Sequence, residues 1–276
     1  MKVVHYLNGA WVPTEELQIS VFDLSVLRGF GIFDFLRTYN HKPFKLREHI
    51  DRLCSSAKYT GITIPLPKTT LLKIVNEGIE KNKDAYDDFN IRIIVTGGVG
   101  VDSLTPGKPS VIALFTKAIQ YSNEHYTKGV KVITVKMVRT IPEAKTLNYF
   151  MAIIALQKAR KEKAIEAIYI DSDGKLYEGT TSNIFFIKNK TLTTPKTNIL
   201  PGITRKIVID LAKKLEMKVE ERNVFLGELT SFQEAFISAS NKEIMPVVQV
   251  DRRAIGEGIV GEKTTRLIKA YRTLLR

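Results

Sequence analysis

From residue 130 onward the sequence alternates short runs of β-forming apolar residues with runs of helical periodicity, and this alternation limits the fold more than any other feature. Strand signals fall over 130–139, 166–171, 183–188, 218–223 and 235–238. Helical signals fall over 148–161, 204–215 and the C-terminal residues. The helix over 148–161 is apolar almost all round its first two turns, which predicts that it is buried. The earlier part has its own pattern. A hairpin is expected around Asn8-Gly9, then a strand over 32–39 and a helix over 47–59 with Ile50, Leu53, Cys54 and Ala57 on one face. A second helix over 67–82 presents Leu71, Leu72, Ile74, Val75 and Ile79, and β-runs over 91–96 and 110–116 flank a long Gly-rich loop. Two α+β domains follow: a small one over 1–118, a polar connector over 119–128 and a larger one over 129–276.

Composition excludes several classes. The 276 residues are 44% hydrophobic and 26% charged, which is ordinary for a folded chain and unlike long disorder. No stretch approaches a membrane span, and the opening MKVVHYLNGAWVP lacks the apolar run of a signal peptide. Cys54 is the single cysteine, so internal disulfides and cysteine metal clusters are excluded and a reducing cytoplasm is expected. His5, His41, His49 and His125 show no metal-ligand spacing. The net charge of +13 raises a nucleic-acid partner, but the basic residues are scattered among acids and no aromatic-plus-basic stacking motif accompanies them.

Four segments carry more chemistry than folding requires. In 141–149, IPEAKTLNY, Lys145 stands among apolar or small residues where a strand gives way to the apolar helix. Partial desolvation there lowers an amine's pKa and makes it a nucleophile for a carbonyl; a solvated surface lysine has no such role. In 175–186, KLYEGTTSNIFF, Glu178 precedes Gly179 and four small polar residues. A carboxylate in that setting suits a cofactor's protonated ring nitrogen, and equally suits a plain turn. In 200–208, LPGITRKIV, free amides and the Thr204 hydroxyl at a helix start form either a phosphate site or simply a well-capped helix. In 236–247, FISASNKEIMPV, the run Ser238-Ala239-Ser240-Asn241 offers a second anion pocket or a polar turn.

An amine, a ring-nitrogen acid and two phosphate cradles are together the protein parts that pyridoxal 5′-phosphate requires. Their order also resembles the class IV aminotransferases, which comprise branched-chain aminotransferases, D-amino-acid aminotransferases and aminodeoxychorismate lyases. LNGAWVP, EHIDRL–SA, K–LNY, EG–SNIF, LPGITR and F–SAS–EI–PV occur in family order over nearly the whole chain. The resemblance implies the two-domain fold type IV architecture, with a small α/β N-terminal domain and a larger β-barrel-like α/β C-terminal domain. It implies that Lys145 condenses with the cofactor aldehyde and then moves the proton of the amino-acid Cα. Glu178 would pair with the pyridinium nitrogen, and Tyr149 would hydrogen-bond the phenolic oxygen. Arg52 would clamp the phosphate as a bidentate partner, with Ile203, Thr204 and Ser240 adding an amide and hydroxyls. Ala239 and Asn241 would face substrate, and the family's homodimers complete each site with the other subunit.

Substrate choice is expected to come from the first domain. The run RGFGIFDF stands where branched-chain enzymes carry a YGTSVFEG-like run and D-amino-acid enzymes FGDGVYEV, and it departs from both. The loop over 97–107 also lacks the Arg-x-His pair of the D-amino-acid enzymes. Arg92, alternating with Ile91 and Ile93, reads as an inward arginine that needs an anion. Arg28, ahead of Gly29 and Gly31, is either a surface charge or a group that reaches a ligand, in its own or a neighbouring subunit. Read as a two-guanidinium trap for the α-carboxylate, the pair favours a D-amino-acid aminotransferase using D-alanine or D-glutamate with 2-oxoglutarate. The alternative is a branched-chain L-amino-acid aminotransferase, with Phe33, Phe35 and Tyr149 as an apolar pocket and the arginines on the distal carboxylate of glutamate. A lyase acting on aminodeoxychorismate is the more remote alternative.

Overall fold

The computed structural model describes residues 2–275. Asn8 and Gly9 take φ of 48° and 102°, the geometry that turns β1 (Val4–Leu7) directly into β2 (Ala10–Pro13). There follow α1 (Leu24–Arg28), β3 (Gly31–Tyr39), β4 (Lys42–Pro43), α2 (Leu46–Thr60), α3 (Lys68–Asn82), β5 (Phe89–Thr96) and β6 (Val111–Lys117). The strands form one antiparallel sheet in the order β2-β1-β6-β5-β3-β4. Period-two alternation divides its faces. Ile32 and Leu36 of β3 and Ile91, Ile93 and Val95 of β5 join Ile50, Leu53, Ile74 and Val75 of the two helices in one core. Phe33, Phe35, Arg92 and Ile94 occupy the other face, with Phe35 opposite Arg92 and Phe33 opposite Ile94.

The chain divides by its contacts after Ile119, and Ala144–Tyr149 packs with this first unit, not with the residues on either side of it. Backbone pairing explains the departure from a single boundary at the connector. Phe33 N donates to Lys145 O and Leu147 N to Gly31 O, both at 2.9 Å, and Ile32 bridges Thr146. Residues 145–147 are thereby a short addition to β3. Gly31 admits it, because a Cβ there would lie 2.4 Å from Leu147 Cδ1.

The second unit contains α4 (Asn123–Thr127), β7 (Val130–Lys136), α5 (Phe150–Lys161), β8 (Glu166–Ile170), β9 (Lys175–Gly179) and β10 (Asn183–Lys188). It continues with β11 (Thr191–Thr194), α6 (Ile203–Lys214), β12 (Lys218–Glu221), β13 (Val224–Phe225), β14 (Glu234–Ala239), β15 (Glu243–Val250), β16 (Arg253–Ala254) and α7 (Glu262–Thr273). Its ten strands form one mixed sheet in the order β12-β11-β10-β14-β15-β7-β8-β9-β13, with β16 on β15. β9 and β10 lie far apart in that order yet are joined by residues 180–182, with Gly179 N donating to Ser182 O at 2.7 Å. The sheet therefore curls back on itself around a core that includes Val132, Ile168, Ile184, Phe186, Ile237 and Met245. The α+β organisation is what the strand and helix signals anticipate, and the barrel-like second unit is what the family resemblance implies.

Two expectations change. The polar connector contains a helical turn, α4. More significantly, α5 is not buried all round: Phe150, Met151, Ile153 and Ile154 are 70, 52, 53 and 44% exposed. Its inner face is built instead from Ala152, Ala155 and Ala159, small enough for close approach to the sheet, and this turns the large side chains outward. Among the described residues no helix is long and apolar enough to cross a membrane.

Gly78 tests the packing of the first unit. A helical glycine replaced by alanine ordinarily gains about 1 kcal/mol, but here the new Cβ would lie 1.9 Å from Phe115 Cζ. Gly78→Ala should therefore cost about 1–3 kcal/mol, read as a lower unfolding midpoint, and Phe115→Leu in that background should recover part of the loss.

Candidate active site

The buried stripe of α2 is made of His49, Ile50, Arg52, Leu53, Ser56 and Ala57, so three polar residues share it with the core side chains. Each has a specific partner. Asp34, on the helix-facing side of β3 and without solvent exposure, accepts from Arg52 Nε at 2.8 Å, Arg52 Nη2 at 2.9 Å and His49 Nδ1 at 2.6 Å. Burial opposes ionisation of this carboxyl, but the Arg52 guanidinium and His49 outweigh it and hold the pKa well below the usual aspartate range. Arg52 is thus oriented by a fork on one edge, and its Nη1 makes no hydrogen bond among the described residues, which leaves it available to an anion. The third polar residue, Ser56, accepts from Lys145 N at 3.0 Å.

With its backbone held by Ser56 and by β3, Lys145 is half-buried on the sheet face opposite the core. Its Nζ donates to Tyr149 Oη at 3.3 Å and lies 4.6 Å from the centre of the Phe33 ring. Phe33 meets Tyr149 edge-on at 5.5 Å. Arg92 lies over Phe33 and Phe35, 5.9 and 5.7 Å from the ring centres. It is exposed, which corrects the expectation of an inward, desolvated arginine: its face of the strand is uncovered at that position, although Asn90 and Thr96 on the same face are buried. Arg28 has other ties. It ends α1, is exposed, and donates to Leu27 O at 2.9 Å and Ser103 Oγ at 3.1 Å. The two arginines are held by different groups.

The second unit gathers the remaining predicted residues. Glu178, 4% exposed at the end of β9, accepts from Leu200 N at 2.9 Å and Arg139 Nη1 at 2.9 Å. Leu200 opens the LPGITR run, and Asn183 Nδ2 donates to its carbonyl at 3.0 Å. Gly202 caps α6 with no side-chain hydrogen bond, so the first-turn amides at Ile203 and Thr204 are left to another acceptor. A Cβ at Gly202 would lie 2.0 Å from Asn183 Oδ1, which is why the run needs glycine there. Opposite Asn183 in the β10–β14 register, Ser238 Oγ is buried with no hydrogen-bond partner among the described residues. Ala239, Ser240 and Asn241 are half-buried in the tight turn from β14 to β15.

These groups fit pyridoxal 5′-phosphate by donor chemistry: an amine beside a phenol, an acid held by cationic and amide donors, helix amides without a side-chain cap, an orphaned hydroxyl on β14, and a pre-oriented guanidinium edge. Asp34, His49, Ser56 and Arg139 were not anticipated. For the first three the signal was present, since polar residues at helical spacing on an otherwise apolar stripe require buried partners. Arg139 carried none, because its partner is 39 residues away.

The buried cluster has a pH signature. Burial lowers the His49 pKa below the usual histidine value of 6.5, against the pull of Asp34. The unfolded chain then takes up its proton first, and stability falls as pH drops below about 6.5. His5, depressed by burial, adds to the same trend. Asp34 contributes stability above its unfolded value of 3.8 and loses it on further acidification. Denaturant midpoints measured from pH 8 to pH 5 should decline, and His49→Gln should flatten part of that decline.

The class IV aminotransferase family model matches residues 31–250. A putative branched-chain-amino-acid aminotransferase of Methanocaldococcus jannaschii is 38% identical over 98% of this chain and 95% of its own length. A D-alanine aminotransferase of Staphylococcus epidermidis is 28% identical over 96% of this chain and 95% of its own. Among solved structures, the T.th. branched-chain amino acid aminotransferase with pyridoxamine 5′-phosphate has a TM-score of 0.92 at 29% identity, covering 100% of this chain and 94% of that one. The fold is accordingly that of the fold type IV enzymes, and the chain belongs to the class IV aminotransferases, which use pyridoxal 5′-phosphate.

Proposed function

We propose that the chain transfers amino groups between branched-chain L-amino acids and 2-oxoglutarate. The observation that carries the reading is the aromatic wall beside the amine: Phe33 touches both Lys145 and Tyr149, and Phe35 continues the wall on the same strand face. Such a wall suits an apolar substrate side chain. Arg92, carried over Phe33 and Phe35 and open to solvent, is the group for the distal carboxylate of glutamate, the second substrate. Similarity to the archaeal branched-chain relative over almost the whole chain supports the same choice.

In this reading Lys145, Tyr149 and Arg52 of the first unit and Glu178, Ile203, Thr204 and Ser240 of the second hold the cofactor. When bound, the cofactor supplies an aldehyde and an electron-withdrawing ring. Lys145 Nζ, oriented by the Tyr149 hydroxyl, removes and returns the proton at the substrate Cα. Glu178, held by Arg139 and the Leu200 amide, keeps the ring nitrogen protonated. Arg52 offers its outer guanidinium edge to the phosphate, together with the α6 amides and the Thr204 and Ser240 hydroxyls. Ala239 and Asn241 face the substrate carboxylate.

A D-amino-acid aminotransferase is the second reading, favoured by the relatives named D-alanine aminotransferase and by a carboxylate trap at Arg28 and Arg92. Single-turnover reactions separate the two. Addition of L-leucine or L-glutamate should discharge the cofactor absorbance, and D-alanine should leave it unchanged; discharge by D-alanine alone would reverse the assignment. Arg92→Leu should weaken 2-oxoglutarate by about 1.5 kcal/mol while leaving the leucine KM nearly unchanged.

We further infer a homodimer. The exposed Phe150, Met151, Ile153 and Ile154 form an apolar stripe on α5 of the kind that a second copy covers. Light scattering on the eluted peak should give twice the 31.2 kDa chain mass, and Ile153→Glu should shift the population toward monomer.

A further inference from the structure

Glu166 opens β8 with no solvent exposure and takes no part in the chemistry assigned to Lys145 and Glu178. One of its carboxylate oxygens accepts from the Thr180 hydroxyl. The other accepts from Thr181 Oγ1 at 2.7 Å, Ser182 Oγ at 3.1 Å and Lys242 Nζ at 3.3 Å. Lys242, 5% exposed, also donates to Thr181 Oγ1 at 2.6 Å. Burial opposes ionisation of Glu166, but Lys242 and the two threonine hydroxyls outweigh it and keep the carboxyl ionised.

Burying two charges is costly, and a well-packed apolar pair stabilises a fold at least as well. What the cluster provides is position. Thr180, Thr181 and Ser182 directly follow Glu178 and Gly179, and Lys242 directly follows Ser240 and Asn241. The approach is close: a Cβ at Gly179 would lie 2.4 Å from Ser182 Oγ and 2.9 Å from Glu166 Cγ. One carboxylate therefore bonds, at the same time, to the residues after the strand end that carries Glu178 and to the turn that carries Ser240 and Asn241. Lys242 N donates to Ala239 O at 3.1 Å, so the side-chain anchor and the turn's own hydrogen bond meet in one residue.

We propose that Glu166 and Lys242 are positioning residues that fix the Ser240–Asn241 turn relative to Glu178. They set the spacing of the groups that grip the cofactor's phosphate and its ring nitrogen. This rests on the cofactor roles proposed for Glu178 and Ser240. Both residues act through their neighbours, so the effect should be on cofactor affinity more than on folding.

The test replaces the pair by neutral residues of similar volume, Glu166→Gln with Lys242→Met, in the full chain. The melting temperature of the cofactor-free protein should stay close to wild type. The dissociation constant for pyridoxal 5′-phosphate, measured by equilibrium dialysis, should rise by about tenfold or more, with a higher KM for the amino donor. Wild-type cofactor affinity in the folded double variant overturns the proposal. So does an equal loss of affinity in Ile79→Ala, a change in the core of the first unit. If the double variant does not fold, Thr181→Val removes the hydroxyl shared by Glu166 and Lys242 from an exposed position. There a severalfold loss of affinity supports the proposal, and an unchanged value overturns it. Glu178→Gln is the control for the underlying reading. If it leaves affinity and absorbance unchanged, the cofactor assignment fails; if it alters both while the double variant does not, only the positioning role fails.

Discussion

The first unit depends on a charge that has no access to water. Asp34 sits on the core side of β3, where an isolated carboxylate would be prohibitively unfavourable, and it is tolerable only because α2 supplies Arg52 and His49 at hydrogen-bond distance. Breaking such a pair by removing one partner costs about 3–5 kcal/mol, because the survivor stays buried and uncompensated. The pair therefore fixes the docking of α2 on the sheet, and with it Ser56, which holds the backbone of Lys145. The contacts that make the buried charge tolerable are also those that place Lys145. Arg52 is oriented by the same ion pair, and Lys145 is placed by the helix that the pair holds down.

The second unit follows the same logic with different chemistry. Glu178 is buried and accepts from a cationic side chain and a backbone amide, the donors a buried carboxylate requires. The α6 amides have no side-chain cap, and Ser238, opposite Asn183 in the register, keeps a hydroxyl without a hydrogen-bond partner among the described residues. Polar groups left unsatisfied in a folded protein are expected where a ligand completes them. Around these groups the apolar strands of the curled sheet provide a rigid support, which is what precise placement of a few polar atoms requires.

Much of this was legible from residue order. The apolar periodicities placed the long helices and most of the longer strands to within a few residues, because each spans enough turns or alternations for its pattern to stand out. Lys145, Tyr149, Glu178 and the LPGITR run were singled out by local chemistry and by family motifs. Arg92 and α5 show where local pattern fails. Alternation correctly turned Arg92 away from Ile91 and Ile93, but the inference that it must be desolvated assumed a face packed along its whole length, and at Arg92 it is exposed. The apolar run in α5 was correctly read as helix, yet its alanines, not its large side chains, face the sheet. Hydrophobicity says that a surface should be covered; it does not say by what.

The sequence by itself determined the long helices, most of the longer strands, the α+β character and the family, because these rest on short-range periodicity and on motifs that are contiguous in the chain; β9, β11 and β15 carried no such signal and were not anticipated. Tertiary structure alone decided that 145–147 joins β3, that Asp34 and His49 orient Arg52, that Arg139 meets Glu178, and that Glu166 bonds to residues from two separate turns. Each of these is a contact between residues well separated in sequence, made through a backbone group or a charged side chain. Their partners carry no periodic signal, so only the closing of the sheets and the docking of α2 brings them within reach.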